Sequence, residues 1–220
     1  MKTILKHSEP TYLLVLIILF VFTGCINAQD TELDRKVKNF IESKGGAWYD
    51  MNVPSTDGQL LYDIIVKNGY KDALEIGTST GHSGIWIAWA LSKTGGKLIT
   101  LEIDESRHRE ALANFEKAGL SDFIDARLGN AHDLVKEIEG PLDFVFSDAD
   151  KNWYINYFKD VSPKLKPGGC FTSHNVWPAG SGRRGGGGTQ AYLEYVMKLD
   201  NYATTVDDSG NGLAISYKKQ

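Results

Sequence analysis

The sequence predicts an α/β protein built on a doubly wound, seven-stranded sheet that is mostly parallel with one antiparallel strand. Three observations carry that expectation. Short apolar runs at 72–76, 97–102, 123–128, 142–147 and 170–174 alternate with helical patterns, the order of a parallel sheet covered on both faces. Two further runs, 202–207 and 212–217, are joined through Ser209-Gly-Asn-Gly212 and read as a hairpin that reverses one strand. With 42% apolar and 24% charged residues over 220 positions, the chain can bury a core without a disulfide framework and is too apolar to be disordered.

The first residues follow a different logic. Lys2 and Lys6 precede an unbroken apolar run from Tyr12 to Phe22, and small residues follow it. That is the layout of a secretory signal, and the run is shorter than the ~20 residues of a spanning helix. Two endings are readable. Phe22-Thr-Gly-Cys25 resembles a bacterial lipobox, which would leave a lipid anchor on Cys25, and Ala28-Gln29 resembles an ordinary cleavage site. Residues 1–28 are therefore expected to be a signal peptide and 29–220 the domain, exported to the periplasm or held there as a lipoprotein. An uncleaved anchor would leave the domain on the same side of the membrane, because the lysines stay inside. Past that segment only Cys170 remains, inside an apolar run, so a small buried thiol and no disulfide are expected. The net charge is −4, and one unit more negative once Lys2, Lys6 and Glu9 are set aside. Such a mildly acidic domain has no electrostatic footprint for nucleic acid.

The elements follow in order. Thr31 caps a first helix with Leu33, Val37, Phe40 and Ile41 on one face, and Gly45-Gly46 stops it. Thr56-Asp-Gly-Gln59 has capping-box spacing and opens a second helix, with Leu60, Leu61, Ile64 and Ile65, that ends at Gly69. Helices are then expected at about 82–93, 105–118, 131–138, 151–165 and 189–199. In doubly wound sheets ligands bind beyond the carboxyl ends of the strands, so chemistry is sought there.

After the first strand comes Glu75-Ile-Gly-Thr-Ser-Thr-Gly81-His-Ser83, where Gly77 and Gly81 let the backbone pass close beneath a ligand. The spacing is GxxxG, not the GxGxxG of a dinucleotide site. The second strand ends in Glu102, 21 residues beyond Gly81, where an acid can accept both hydroxyls of a ribose. Asp104 and Glu105 suit a helix N-terminus better. Gly129-Asn-Ala131 after the third strand are small enough to border a flat ring. Each feature alone is equally a simple turn; in register they fit an adenosine. The fourth strand is followed by Asp148, Asp150 and Lys151, and the fifth ends in Ser173-His174-Asn175. Asp148, His174 and Asn175 form an oxygen and nitrogen set for a divalent ion, with a metal-free polar cluster as the open alternative.

Together these residues resemble the class I S-adenosylmethionine-dependent methyltransferases, a Rossmann-like fold, and within them the caffeoyl-CoA and catechol O-methyltransferase family. The likeness runs from Met51 to Asn175 through MNVPSTDGQLL, LEIGTSTGHS and DFVFSDADKNWYINYF, the last being the most specific. It implies an enzyme that moves a methyl group from S-adenosylmethionine to a hydroxyl of a small, phenolic or catechol-like acceptor. By that resemblance the Val53 backbone and the Ser83 hydroxyl hold the methionine end, and Glu75, Gly77 and Thr78 line the same loop. Glu102 takes the ribose, Ala131 touches the adenine, and Asp148 and Asp150 make further cofactor contacts. Asp148, His174 and Asn175 match the metal ligands, and Lys151, with Asp148 and His174, the catalytic set. The family carries an aspartate where this chain has His174. An imidazole there removes a negative charge, so the site either turns from Mg²⁺ towards Mn²⁺ and softer ions or is lost, leaving His174 as a metal-free base. Gly180–Gly188, with Arg183 and Arg184, replaces a longer substrate segment and reads as a mobile loop or as a lid for an anionic acceptor. A metal-independent methyltransferase and a non-catalytic exported binding domain stay open, as does a homodimer.

Overall fold

Two parallel strands, β1 (Asp72–Ile76) and β4 (Leu142–Ser147), lie side by side at the middle of a seven-stranded sheet. The computed structural model describes residues 31–45, 48, 52–178, 180–183 and 186–220. With β2 (Lys97–Glu102), β3 (Ile124–Leu128), β5 (Leu165–His174), β6 (Tyr202–Asp207) and β7 (Leu213–Lys218), the strand order is β3-β2-β1-β4-β5-β7-β6. Only β7 runs against its neighbours, between β5 and β6. The order reverses between β1 and β4, so successive crossovers leave in opposite directions and open a crevice at the strands' carboxyl ends.

The helices are α1 (Glu32–Lys44), α2 (Ser55–Asn68), α3 (His82–Thr94), α4 (Glu105–Ala118), α5 (Ala131–Glu137), α6 (Tyr154–Val161) and α7 (Thr189–Val196). The strands are apolar on both faces because both faces are covered. Leu74, Ile76, Val145 and Phe171 pack with Val135, Phe158 and Tyr192 of α5, α6 and α7. Residues of opposite parity, Ala73, Phe144, Phe146 and Cys170, pack with Leu61, Ile65, Ile87 and Leu91 of α2 and α3. The far side of α3 meets Val37 of α1 and Phe115 of α4. This explains why α3 is apolar nearly all round. Cys170 is a fully buried free thiol, and burial pushes its pKa up.

Three local expectations are corrected. The second helix begins at Ser55 with Pro54 at the N-cap and no side-chain cap. Thr56 therefore lies inside the first turn, and Gln59 donates to Asp63 Oδ1 at 2.9 Å instead of reaching back. The single helix read over 151–165 is three pieces: a 3-10 turn Lys151–Trp153, α6, and a second 3-10 turn Ser162–Lys164. Asp150 caps the first piece by accepting from the Asn152 N–H at 3.0 Å, and Pro163, which lacks an N–H, sits where α6 gives way. The last strand before the hairpin starts five residues earlier than read, at Leu165, and a register shift between Leu142 and Phe144 absorbs the extra length. The signal segment and Cys25 lie outside the described residues. Among the described residues no helix is long and apolar enough to cross a membrane.

Candidate active site

The carboxyl ends of β1, β2, β3 and β4 border one cleft of about 340 Å³. Its floor is the β1–α3 loop. Gly77 has φ 102°, and a Cβ there would meet the Asp148 and Ala149 backbone at 3.0 Å, so only glycine lets this loop lie against the end of β4. Glu102 stands at the tip of β2, 6% exposed. Its Oε2 accepts from the Ser79 N–H at 2.7 Å, and its Oε1 accepts from the N–H groups of Ile103 and Asp104 at 3.0 and 2.9 Å. A carboxylate offers about four acceptor sites, so Glu102 is fixed in place with capacity left for a ligand hydroxyl. Beyond β3, Asn130 caps α5 by accepting from the His132 N–H at 3.0 Å. Ala131 then leaves flat space beside His132, which stacks on Trp153 at 4.2 Å and lies 3.3 Å from Asp150 Oδ2.

Gly77, Thr78, Ser83, Glu102, Ala131, Asp148 and Asp150 all line this cleft; Val53 and Glu75 do not. The Val53 carbonyl accepts from His82 Nδ1 at 2.8 Å, and His82 Nε2 accepts from Trp86 Nε1 at 3.1 Å. Burial lowers the His82 pKa to about 4, against the raising effect of the Val53 carbonyl, so the ring is neutral. From that segment Asn52 faces the cleft. Glu75 is fully buried beneath the loop, with Oε2 accepting from Thr100 Oγ1 at 2.5 Å and Oε1 without a partner among the described residues. Burial raises its pKa to about 8, against the lowering effect of hydrogen bonds from Ser83 and Thr100. Asn52, Ser79, Ile103, Arg107, His132 and Tyr157 also line the cleft and were missed in the sequence. His132 alone had a local signal there, as the aromatic neighbour of Ala131.

Next to the cleft lies a chain of charges. Lys151 Nζ pairs with Asp148 Oδ1 and donates to Tyr154 Oη at 2.9 Å. Asp148 Oδ2 lies 3.0 Å from His174 Nδ1, and Asp57 Oδ2 lies 2.8 Å from His174 Nε2. Asp57, on α2, is 1% exposed and also accepts from the Asn211 N–H at 2.9 Å. Tyr154 Oη lies 3.0 Å from the carbonyls of both Ser147 and His174, tying the ends of β4 and β5. Arg183 lies over the Trp177 ring at 4.6 Å and reaches the Gly210 carbonyl at 3.4 Å, while Arg184 is outside the described residues.

The O-methyltransferase family profile matches residues 26–201. The chain belongs to the O-methyltransferase family. It is 43% identical over 130 residues to a catechol O-methyltransferase of Niastella koreensis, covering 57% of this chain and 58% of that one. It is 33% identical over 139 residues to caffeoyl-CoA O-methyltransferase 1 of Eucalyptus globulus, covering 61% and 56%. The chain thus spans less than two thirds of the length of these curated relatives. The solved O-methyltransferase from Bacillus cereus in complex with SAH superposes with a TM-score of 0.71 at 25% identity, over 93% of this chain and 97% of that one.

Within this family member the geometry bears on both expectations for His174. Both ring nitrogens face carboxylate oxygens, which only accept, so both carry protons. Burial lowers the His174 pKa, but the bonds to Asp148 and Asp57 outweigh it and bring the ring to about 9. His174 is therefore a buried cation at neutral pH and not a free base. For the same reason the set Asp148, His174 and Asn175 does not fit a divalent ion. The ring has no lone pair to give, and each Asp148 oxygen already meets a cationic donor. Among the described residues no three His, Cys, Asp or Glu side chains are grouped to hold a metal. Asn175 follows in the left-handed region, φ 57°, and turns the chain out of β5. Asp57 was legible in the sequence only as part of an apparent capping box, because its partner lies 117 residues away.

Proposed function

We propose that this chain transfers a methyl group from S-adenosylmethionine to a hydroxyl of a small phenolic or catechol-like acceptor. The observation that carries this reading is Glu102: a buried carboxylate oriented by three backbone N–H groups, in a cleft running from Ala131 to Asp148. That spacing of a small-residue ring site, an acid and a glycine loop suits a nucleoside with a charged tail. The catechol and caffeoyl-CoA O-methyltransferases among its relatives support a phenolic acceptor.

Bound S-adenosylmethionine would supply a methyl group on a cationic sulfur. A lone pair of the acceptor oxygen would form the new C–O bond as the C–S bond breaks, the C–S bonding pair would go to sulfur, and the hydroxyl proton would leave to water. The protein's part is placement and charge. Lys151 commits donors to Asp148 and Tyr154, and its ammonium has three, so one remains for the acceptor oxygen. A phenol titrates near ~10 in water, and an adjacent ammonium favours its anion. Burial and the nearby Asp148 charge hold the Tyr154 hydroxyl pKa well above its usual range, so it stays a neutral support for Lys151.

The test is calorimetric titration with S-adenosylmethionine, followed by incubation with methyl-labelled S-adenosylmethionine and catechol or caffeic acid. Binding and label in a methyl ether are expected. No binding at millimolar concentration overturns the reading; binding without transfer to any phenolic hydroxyl overturns the choice of acceptor.

A further inference from the structure

We propose that His174 and Lys151 supply, from the protein itself, the positive charge at Asp148, so that this chain works without a resident divalent cation. The proposal rests on the methyltransferase reading above. Two observations carry it. His174, 3% exposed, places its ring nitrogens 3.0 and 2.8 Å from oxygens of Asp148 and Asp57, groups that can only accept. The ring is thus held as an imidazolium by its partners. Asp57 in turn is held from a third element: it accepts from the Asn211 N–H, and a Cβ on Gly210 would overlap its carboxylate. The helix α2, the end of β5 and the β6–β7 turn therefore converge to keep one ring charged and fixed.

The charges alternate along the chain Asp57, His174, Asp148, Lys151. Each Asp148 oxygen faces a cationic donor, so an incoming divalent ion would have to displace the imidazolium or the ammonium to reach it. Asp57 touches no reacting atom; it is a positioning residue acting through His174. One consequence concerns acceptors. Lys151 offers a point donor to one oxygen, whereas a metal would chelate two. A second, vicinal hydroxyl then gains nothing from chelation, and a simple phenol is methylated about as well as a catechol of equal size.

The experiment is an electron paramagnetic resonance titration of Mn²⁺ into the full chain loaded with S-adenosylhomocysteine, beside the double variant Asp57→Asn/His174→Asp. The parent is expected to leave the free-ion spectrum unchanged, and its methyl transfer to survive a chelator. The double variant, with carboxylates on both sides of the site and no imidazolium, is expected to bind Mn²⁺ at least ~10-fold more tightly than the parent. Calorimetry with S-adenosylhomocysteine shows whether that variant is folded, and the parent's spectrum decides the matter without it. Stoichiometric Mn²⁺ binding by the parent, or transfer abolished by chelator and restored by Mn²⁺ or Mg²⁺, overturns the proposal. Failure to bind S-adenosylhomocysteine would bring down the methyltransferase reading instead, while the Mn²⁺ titration still reads the charged cluster.

Discussion

Glu102 is held by three backbone N–H groups, one of them from the neighbouring glycine loop at Ser79, so its removal acts twice. Glu102→Ala loses charge-assisted bonds to the ligand, worth roughly 1.5–3 kcal/mol, and releases the loop. Calorimetry should show S-adenosylhomocysteine binding weakened by about 10–100-fold; a change of less than ~3-fold would contradict its role. Glu75 looked like a similar acid in the sequence but does a different job. Burial raises it to about 8 from an ordinary 4.5, so the fold keeps a proton that the unfolded chain releases once the pH passes 4.5. Its contribution to stability is present below 4.5 and is lost as pH rises through 8. Glu75→Gln, a neutral isostere, should therefore gain on the parent between pH 5 and 8 in denaturant midpoints, and an advantage that shrinks with rising pH would refute this. The two acids were alike in sequence because both lie at the carboxyl end of a strand run, Glu75 one residue before it and Glu102 at it. They differ because Glu75 precedes the turn and points under the loop, while Glu102 ends its strand, which only the folded packing of Thr100 and Gly84 reveals.

The helix α2 shows how an element is placed by contacts rather than by its own signals. Gly58 faces α3 so closely that a Cβ would overlap the Trp86 indole. Alanine favours a helix over glycine by about 1 kcal/mol, but overpacking costs about 1–3 kcal/mol. Gly58→Ala is expected to lower the melting temperature, and a rise would show that α2 can move away from α3. The strands other than β5 were legible to within a residue because apolar runs covered on both faces leave a continuous pattern bounded by turns, whereas the first half of β5, Leu-Lys-Pro-Gly-Gly, carries no such run. The helix starts were less so. Pro54, with φ −65°, begins α2 without any side-chain cap, and the carboxylate of Asp57 is drawn off to His174. The region after Asp150 carries a helical apolar pattern throughout, yet the Asp150 cap and Pro163 divide it, and the pattern alone does not record that.

His82 couples the fold as a unit to acid. Val53 and Trp86 occupy both of its ring nitrogens, and burial lowers its pKa to about 4. As pH falls below the usual 6.5, the unfolded chain takes up a proton that the fold refuses, so this ring's contribution to stability is lost progressively between 6.5 and 4. The slope approaches about 1.4 kcal/mol per pH unit at most. Because Glu75 acts in the opposite sense between pH 8 and 4.5, the effect is read as a difference. In urea unfolding at pH 7, 5.5 and 4.5, His82→Gln should gain on the parent as pH falls, and equal slopes in the two proteins would exclude this role for His82. The doubly wound sheet and its crevice were readable from the sequence because the βαβ alternation points to them, and Asp148, Lys151 and His174 were legible as a cluster at adjacent strand ends, but Asp57 was not, since it lies 117 residues from His174. That remoteness also sets an order in time. The cleft draws on residues from Asn52 to Tyr157, whereas Asp57 is closed by His174, 117 residues on, and by Asn211, 154 residues on. Pairings over such spans pay their loop entropy late, and a growing chain offers its earlier residues first. On a growing chain every residue that lines the cleft is thus made before the hairpin whose Asn211 N–H holds Asp57 in place.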